Sequence, residues 1–373
     1  MSRTLALLLS LPLTACGLFR HVDVEPLATA AQRPANVAAY VAVTDGETPL
    51  TELNTGNFRV YEDDQLVPAD QTQLTLLDPT LVAAHQVVLL VDMSGATTPQ
   101  AKSVIAKAAQ GFVQKVTPRE AVSVFAFDGG AQLVPIAALP RGDAQVTMAA
   151  LESYTARDPS RNLHGAVVAG LKKLDLALAQ SGKIIRVGTL VVFAGGPDIA
   201  GRVDSDKAHD AVWESPYDVI GVGVAEQADA VEHVARHGLI RAQAPDTLPI
   251  AFEEAADKTI AELDKHYVVS YCSPARAGAR RLRLEVTYTN KEGEEHHGDF
   301  EMDFDAKGFG PGCNSQSVPR FTLRPVEKPE PAPEASKLKG DGKKQPSGPT
   351  DSRDQDRGED APVAPPDQPG YAK

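Results

Sequence analysis

Three unbroken apolar runs restrict the fold of this chain more than any other feature. They are Val87-Val88-Leu89-Leu90-Val91, Leu190-Val191-Val192-Phe193 and Val219-Ile220-Gly221-Val222-Gly223-Val224. A strand with one wet face alternates apolar and polar residues, so an unbroken run marks a strand covered on both faces. Helical stripes lie between the runs. Thr98 is placed to cap a helix and Pro99 suits its first turn. Val104, Ile105, Ala108, Phe112, Val113 and Val116 then share one face. Leu163, Val167, Leu171, Leu174 and Leu178 repeat the pattern, as do Phe252, Ala255, Ala256, Ile260 and Leu263. Val122 to Phe127 reads as a further strand. Strands alternating with helices predict an α/β fold over residues 83–265, a doubly wound and mostly parallel sheet.

The flanks follow a different period. Ala38 to Val43 is rich in β-formers and runs into the turn Thr44-Asp45-Gly46. Asn57 to Tyr61 alternates, and Gln71 to Leu77 reads as another strand. This is the pattern of a half-buried antiparallel sheet. After His266 strands return at Tyr267 to Tyr271, Arg281 to Tyr288 and Asp299 to Phe304. The two flanks, residues 34–82 and 266–320, are expected to pair into one β-sandwich carrying the α/β domain as an insertion.

The chain opens as a secretory leader: Arg3, an apolar stretch from Leu5 to Leu13, then small residues. The stretch is far shorter than the ~20 residues that span a bilayer. Its ending, Leu13-Thr14-Ala15-Cys16, resembles the lipobox of bacterial lipoproteins. That resemblance implies removal of residues 1–15 and acylation of Cys16, with residues 16–33 as a tether. Two or more acyl chains anchor stably. By the enteric sorting rule Gly17 implies the outer rather than the inner membrane, so a lipid-anchored place in the cell envelope is expected. Residues 321–373 are rich in proline and charge, lack apolar periodicity and are expected to be disordered. Their charge is nearly balanced, so the net charge of −13 sits on the folded body. This argues against a nucleic-acid partner, which needs a basic patch. Of three cysteines, Cys272 and Cys313 remain once Cys16 is given to lipid. In an exported chain they are expected to pair; the alternative is two unrelated buried thiols.

The first apolar run ends in Asp92-Met93-Ser94-Gly95-Ala96, directly before a helix. In a doubly wound sheet the strand C-termini form the binding crevice, and an acid with hydroxyls there can hold a hard divalent cation. With Asn162-Leu163-His164-Gly165-Ala166, Val191-Val192-Phe193 before Gly195-Gly196-Pro197-Asp198, and Ile220-Gly221-Val222-Gly223, this segment resembles the von Willebrand factor A domain. The resemblance implies a metal-ion-dependent adhesion site built from Asp-x-Ser-x-Ser, a Thr of a later loop and an Asp after the fourth strand. There a bound ion takes a partner's carboxylate. Phe58-Arg59-Val60-Tyr61-Glu62-Asp63 and Tyr267 to Pro274 resemble the strand pairs that bracket this domain in exported bacterial proteins of the von Willebrand factor A-related type, which implies an immunoglobulin-like sandwich.

The metal pattern is incomplete. Asp92 and Ser94 are present, but Ala96 replaces the second Ser, Arg161 falls at the Thr position and Gly195 stands in place of the Asp. Ser160 could serve only if its loop shifts by one residue. Such losses weaken a hard-cation site. Arg161 either repels an ion or pairs with Asp92 and replaces it electrostatically. The expectation is a non-enzymatic protein-binding scaffold whose crevice comprises Asp92, Ser94, Arg161, Gly195 and Asp198, with no required cofactor and an unidentified protein partner. The alternatives are a cation-dependent adhesion module rescued through Ser160, Asp198 or Asp128 with Mg²⁺ or a similar ion, and an envelope hydrolase with an unrecognised site.

Other signals are weaker. His233 and His237 are four apart on an expected helix, but no third zinc ligand is apparent. Glu294-Glu295-His296-His297 reads as a solvated hairpin tip, and Arg141-Gly142-Asp143 as a chance tripeptide. No nucleophile elbow, phosphate-binding loop or Cys-x-x-Cys pair occurs.

Overall fold

A computed structural model describes residues 21–95, 98–143 and 147–323. The leader, Cys16, Ala96 and the segment after Leu323 lie outside the described residues.

The chain first builds β1 (Val22–Gln32), β2 (Asn36–Asp45), β3 (Thr48–Pro49), β4 (Phe58–Glu62), β5 (Gln65–Val67), a single turn α1 (Ala69–Thr72) and β6 (Thr75–Leu77). The α/β layer follows: β7 (Ala83–Asp92), α2 (Pro99–Val116), β8 (Ala121–Phe127), β9 (Val134–Leu139), α3 (Ala149–Glu152), α4 (Leu163–Gln180), β10 (Ile185–Ala194), α5 (Ser205–Trp213), β11 (Asp218–Val224), α6 (Asp229–Glu232), β12 (Leu239–Ala242) and α7 (Leu248–Asp264). It closes with β13 (His266–Cys272), β14 (Ala279–Thr289), β15 (Glu295–Asp305) and β16 (Thr322–Leu323).

The α/β sheet has the order β12-β11-β10-β7-β8-β9, with only the edge strand β9 antiparallel. Chain order reverses between β7 and β10, the position at which doubly wound sheets open a crevice. The apolar runs are unbroken because both faces are covered. Val87, Leu89 and Val91 pack in one cluster with Ile105, Phe112 and Phe252 of α2 and α7. Val88 and Leu90 pack in another with Val167, Leu171 and Leu174 of α4. Gly170 lets α4 come close, since a Cβ there would meet Leu90 Cδ1 at 2.8 Å. Thr98 caps α2 through Ala101 N–H, as its sequence context predicts.

The flanks pair across the insertion. One sheet runs β16-β1-β2-β13-β6 with β3 on β2; the other runs β15-β14-β4-β5. Val37, Val41, Phe58, Val60, Leu284 and Phe300 share the core between them, which makes a sandwich. β6 and β13, the strands by which the chain leaves for the α/β layer and returns, are hydrogen-bonded neighbours. Cys272 and Cys313 form a disulfide. A loop of this length stabilises by about 4 kcal/mol in the chain-entropy view.

Four expectations need correction. Residues 22–32, read as part of a tether, form β1 and pair with β2 along its length. Pro26 and the alanines hid it, because the strand bulges between Pro26 and Ala28 and its inward positions need only small side chains. β2 is not half-buried: its first eight residues are all buried, since Val37, Ala39 and Val41 face the sandwich while Ala38 and Tyr40 face the α/β layer. Only Thr75–Leu77 of the expected strand from Gln71 is extended, because residues 69–72 close a helical turn. The boundary at 321 is also too early. Phe321 is buried against Tyr40, and β16 extends the sheet on β1.

Candidate binding crevice

β7 ends at Asp92, β10 ends just before Gly195, and the loop preceding α4 supplies Arg161, so three of the named residues converge at the switch point. Asp92 is buried and both carboxylate oxygens are occupied. Oδ1 accepts the Ser94 backbone N–H at 2.9 Å and the Ser94 hydroxyl at 2.6 Å. Oδ2 accepts the Gly195 N–H at 2.9 Å and the Nε–H of Arg161. The Arg161 side chain is only 11% exposed. Its Nη1 donates to Pro197 O at 3.1 Å, and its own carbonyl accepts the N–H groups of Ile199 and Ala200, each at 2.9 Å. Arg161 thus staples the loop after β10 to the head of α4. Gly196 makes room for this: at φ +158° a Cβ would lie 2.8 Å from Nη1. The Nη2 group points to the space beside Gly95 and Gly195, where added Cβ atoms would each lie 3.6 Å away.

The other sequence-named residues are engaged elsewhere. The Ser160 hydroxyl donates to Asp158 at 2.6 Å, outside the Asp92 group. Asp198 caps α4, accepting His164 N–H at 2.9 Å on one oxygen and Gly201 N–H at 2.8 Å on the other. Asp128 accepts N–H bonds from Gly130 at 2.7 Å and Arg157 at 2.8 Å, and the Tyr154 hydroxyl at 3.0 Å. Burial pushes its carboxyl up, yet these bonds outweigh burial and hold it below the usual carboxylate range. Among the described residues, no group of three or more His, Cys, Asp or Glu side chains is placed to hold an ion. A hard cation needs several open oxygen donors. Here Asp92 has spent its lone pairs, and a guanidinium charge sits against it. The donor set does not fit such an ion.

The crevice opens into a cleft of about 530 Å³. Its walls are Ala101, Val104 and Ile105 of α2, Phe193 of β10, Val224 of β11 and Leu248 at the head of α7, with Gln100, Gln227 and Asp246 at polar positions. Sequence reasoning assigned Val104 and Ile105 to the core stripe of α2. They do lie on that stripe, in the second turn of α2, where Ile105 is buried in the core and Val104 is half-buried, and both also line the cleft. The contribution of the α7 head had no local signal.

Two minor readings change. His233 and His237 do not share a helix: α6 stops at Glu232. His237 Nδ1 accepts Val219 N–H at 3.0 Å, and burial lowers its pKa to about 4. His296 is not solvated. It is buried at the start of β15, with Nδ1 2.9 Å from an Asp45 oxygen.

A doubly wound sheet with an Asp-x-Ser strand end at its switch point is the architecture that the resemblance to the von Willebrand factor A domain implies, and the insertion has that architecture. No family model matches the chain, and no curated protein matches it in sequence. Among solved structures, one similar to it is a von Willebrand factor type A protein from Catenulispora acidiphila, at 11% identity and TM-score 0.40, covering 76% of this chain and 73% of that one. Another is manganese-loaded TRAP from Plasmodium vivax, at 10% identity and TM-score 0.37, covering 67% and 98%. A third is proximal thread matrix protein 1 from the mussel byssus, at 13% identity and TM-score 0.38, where the match covers 50% of this chain and about half, 49%, of that protein.

Proposed function

We propose that this chain is a non-enzymatic protein-binding module of the cell envelope, anchored through lipid on Cys16, and that its crevice works without a metal ion. One observation carries the metal-free reading: the Arg161 guanidinium is bonded to Asp92 where a von Willebrand factor A site would hold its cation. A fixed cationic side chain provides the positive pole that an ion would otherwise provide, and it is planar and permanently charged. The Nη2 group and the apolar cleft beside it offer a partner one polar anchor and several apolar contacts, the usual composition of a recognition site.

Melts of the full chain titrated with Mg²⁺, Mn²⁺ and Ca²⁺ test this. A ligand that binds only the folded state raises stability by about 2.7 kcal/mol at a hundredfold excess over Kd. No shift is expected at millimolar ion. A shift abolished by Asp92→Ala would instead mean a cation-dependent adhesion site. Conversely, Ala96→Ser, Arg161→Thr and Gly195→Asp together should create Mg²⁺ affinity. The Gly195 position has room, since a Cβ there would lie 3.5 Å from Asp92 Oδ2. A folded triple variant that gains none would refute the correspondence. The anchor is tested by Cys16→Ala, which should move the protein from the membrane to the soluble fraction.

A further inference from the structure

The cleft beside Arg161 selects its occupant by charge as well as by shape. Its charged lining is the Arg161 guanidinium and the carboxylates of Asp92 and Asp246. Asp92 is bonded to Arg161, so that pair has no net charge. Asp246 is exposed at the rim and leaves the cleft with one carboxylate in excess.

The helix heads do little to offset this. Both α2 and α7 begin at the cleft, and a helix N-terminus draws anions through its free N–H groups. Here Pro99 is the first residue of α2 and Pro249 the second of α7, and neither has an N–H to offer. The Thr98 hydroxyl takes the Ala101 N–H at 3.2 Å, and the Leu248 N–H is spent on Pro245 O.

What remains is one directed donor in an apolar setting. Arg161 Nε–H is bonded to Asp92 and Nη1 to Pro197 O. No acceptor among the described residues takes Nη2, which faces the space beside Gly95 and Gly195. Val104, Phe193, Val224 and Leu248 form the walls. Ile199, on the loop that Arg161 holds, and Ile250, in the first turn of α7, are each 67% exposed, more than any other large apolar side chain among the described residues. Exposed apolar groups gathered around a cleft mark a surface for another protein. Gln100 and Gln227 add amides, which can donate to and accept from a peptide group.

We infer that the cleft takes an uncharged apolar segment of a partner protein. An aliphatic side chain fills the apolar walls, and the main-chain carbonyl beside it accepts from Nη2. This rests on the metal-free reading above, and it is the opposite selection from that of an ion-filled site, which takes a carboxylate. A carboxylate brought to Nη2 would meet Asp92 behind the guanidinium and Asp246 at the rim, two like charges against one opposite. A carbonyl gains the bond without that repulsion and leaves the bond between Asp92 and Arg161 undisturbed.

The test uses two probes that share a side chain and differ in charge: N-acetyl-leucinamide, which is neutral, and N-acetyl-leucine, a carboxylate. Each is titrated into the full chain in EDTA and again in Mg²⁺, with ¹H–¹⁵N spectra following the Gly195 N–H and the Arg161 Nε–H. The neutral probe should shift both signals and bind more tightly than the carboxylate by roughly threefold or more, the factor expected for one excess like charge in the cleft. Asp246→Asn should tighten only the carboxylate probe. Val104→Ala should weaken both alike, and Arg161→Lys should release the neutral one. Asp246→Asn, an exposed change, keeps the test available if Arg161→Lys does not fold. A carboxylate probe that binds in EDTA within roughly threefold of the neutral one, or more tightly, overturns the inferred ligand and leaves the metal-free reading standing. Binding of either probe that needs Mg²⁺ overturns the metal-free reading itself. A neutral probe that leaves both signals unmoved at tens of millimolar, or that a folded Arg161→Lys chain holds as well as before, overturns the proposal.

Discussion

The two ends of β7 carry polar clusters of opposite character. At its start, His85 Nε2 is 3.1 Å from the Tyr40 hydroxyl of β2, and Nδ1 is 3.1 Å from Glu120 before β8. The ring of His266 stacks on Tyr40 with centroids 5.6 Å apart, and its Nδ1 donates to Leu263 O at 3.1 Å. Every ring here is buried where the sandwich meets the α/β layer, and each polar atom named is used on another part of the chain. At the far end, Asp92 is equally buried, but its partner Arg161 reaches the wall of an open cleft. The first cluster joins layers. The second holds a charge in place and leaves one face of it available. Burial of an ionisable group therefore does not tell these two clusters apart; the destination of its last hydrogen bond does.

The comparison can be broken in four ways. The largest effect is expected in acid. Burial, then the neighbouring His85, lowers the pKa of His266 to about 3. A depressed histidine contributes stability that is complete above its unfolded pKa of about 6.5 and is lost as pH falls toward 3. Urea unfolding across that range should lose about 4 kcal/mol, and His266→Asn should flatten the profile. Next, Arg161→Ala should cost about 3 kcal/mol, because it strips the counter-charge from a buried carboxylate. Hydrogen exchange should accelerate in residues 195–203 and stay unchanged in the sandwich; loosening of β2 or β13 would show the two ends to be coupled. Tyr40→Phe removes the hydroxyl that bonds His85, which should cost about 2 kcal/mol in urea, with the effect spread over both layers. Ser94→Ala should cost only about 1 kcal/mol, since the Ser94 N–H still reaches Asp92 Oδ1.

The sheet was legible because covering a strand on both faces leaves an unbroken apolar run, and Val87–Val91 has no other economical reading. Asp92 and Gly195 were placed by strand ends, which are local. What escaped was decided at a distance. β1 reads as a linker because its small residues fit a face already filled by neighbours. The pairing of Arg161 with Asp92, one of two options open to the sequence, is decided by the loop after β10, which holds the guanidinium at Pro197 and the backbone at Ile199 and Ala200. The rings of His164 and His233 meet with Nε2 atoms 2.9 Å apart, yet the two residues are 69 positions apart, and neither has a neighbour in sequence that announces the other.

The pairing of β1 with β16 has a mechanical meaning. The strands are antiparallel, with Thr29 opposite Thr322 and Ala28 opposite Leu323, so the chain enters the sheet and leaves it at the same end. Tension between the two flanking segments would unzip this short ladder one bridge at a time. Peeling could then run back along the chain only as far as Cys313, where the covalent link to Cys272 on β13 takes the load. The force would pass through the sandwich and its crosslink and bypass the inserted layer, leaving the crevice unloaded while its carrier is pulled.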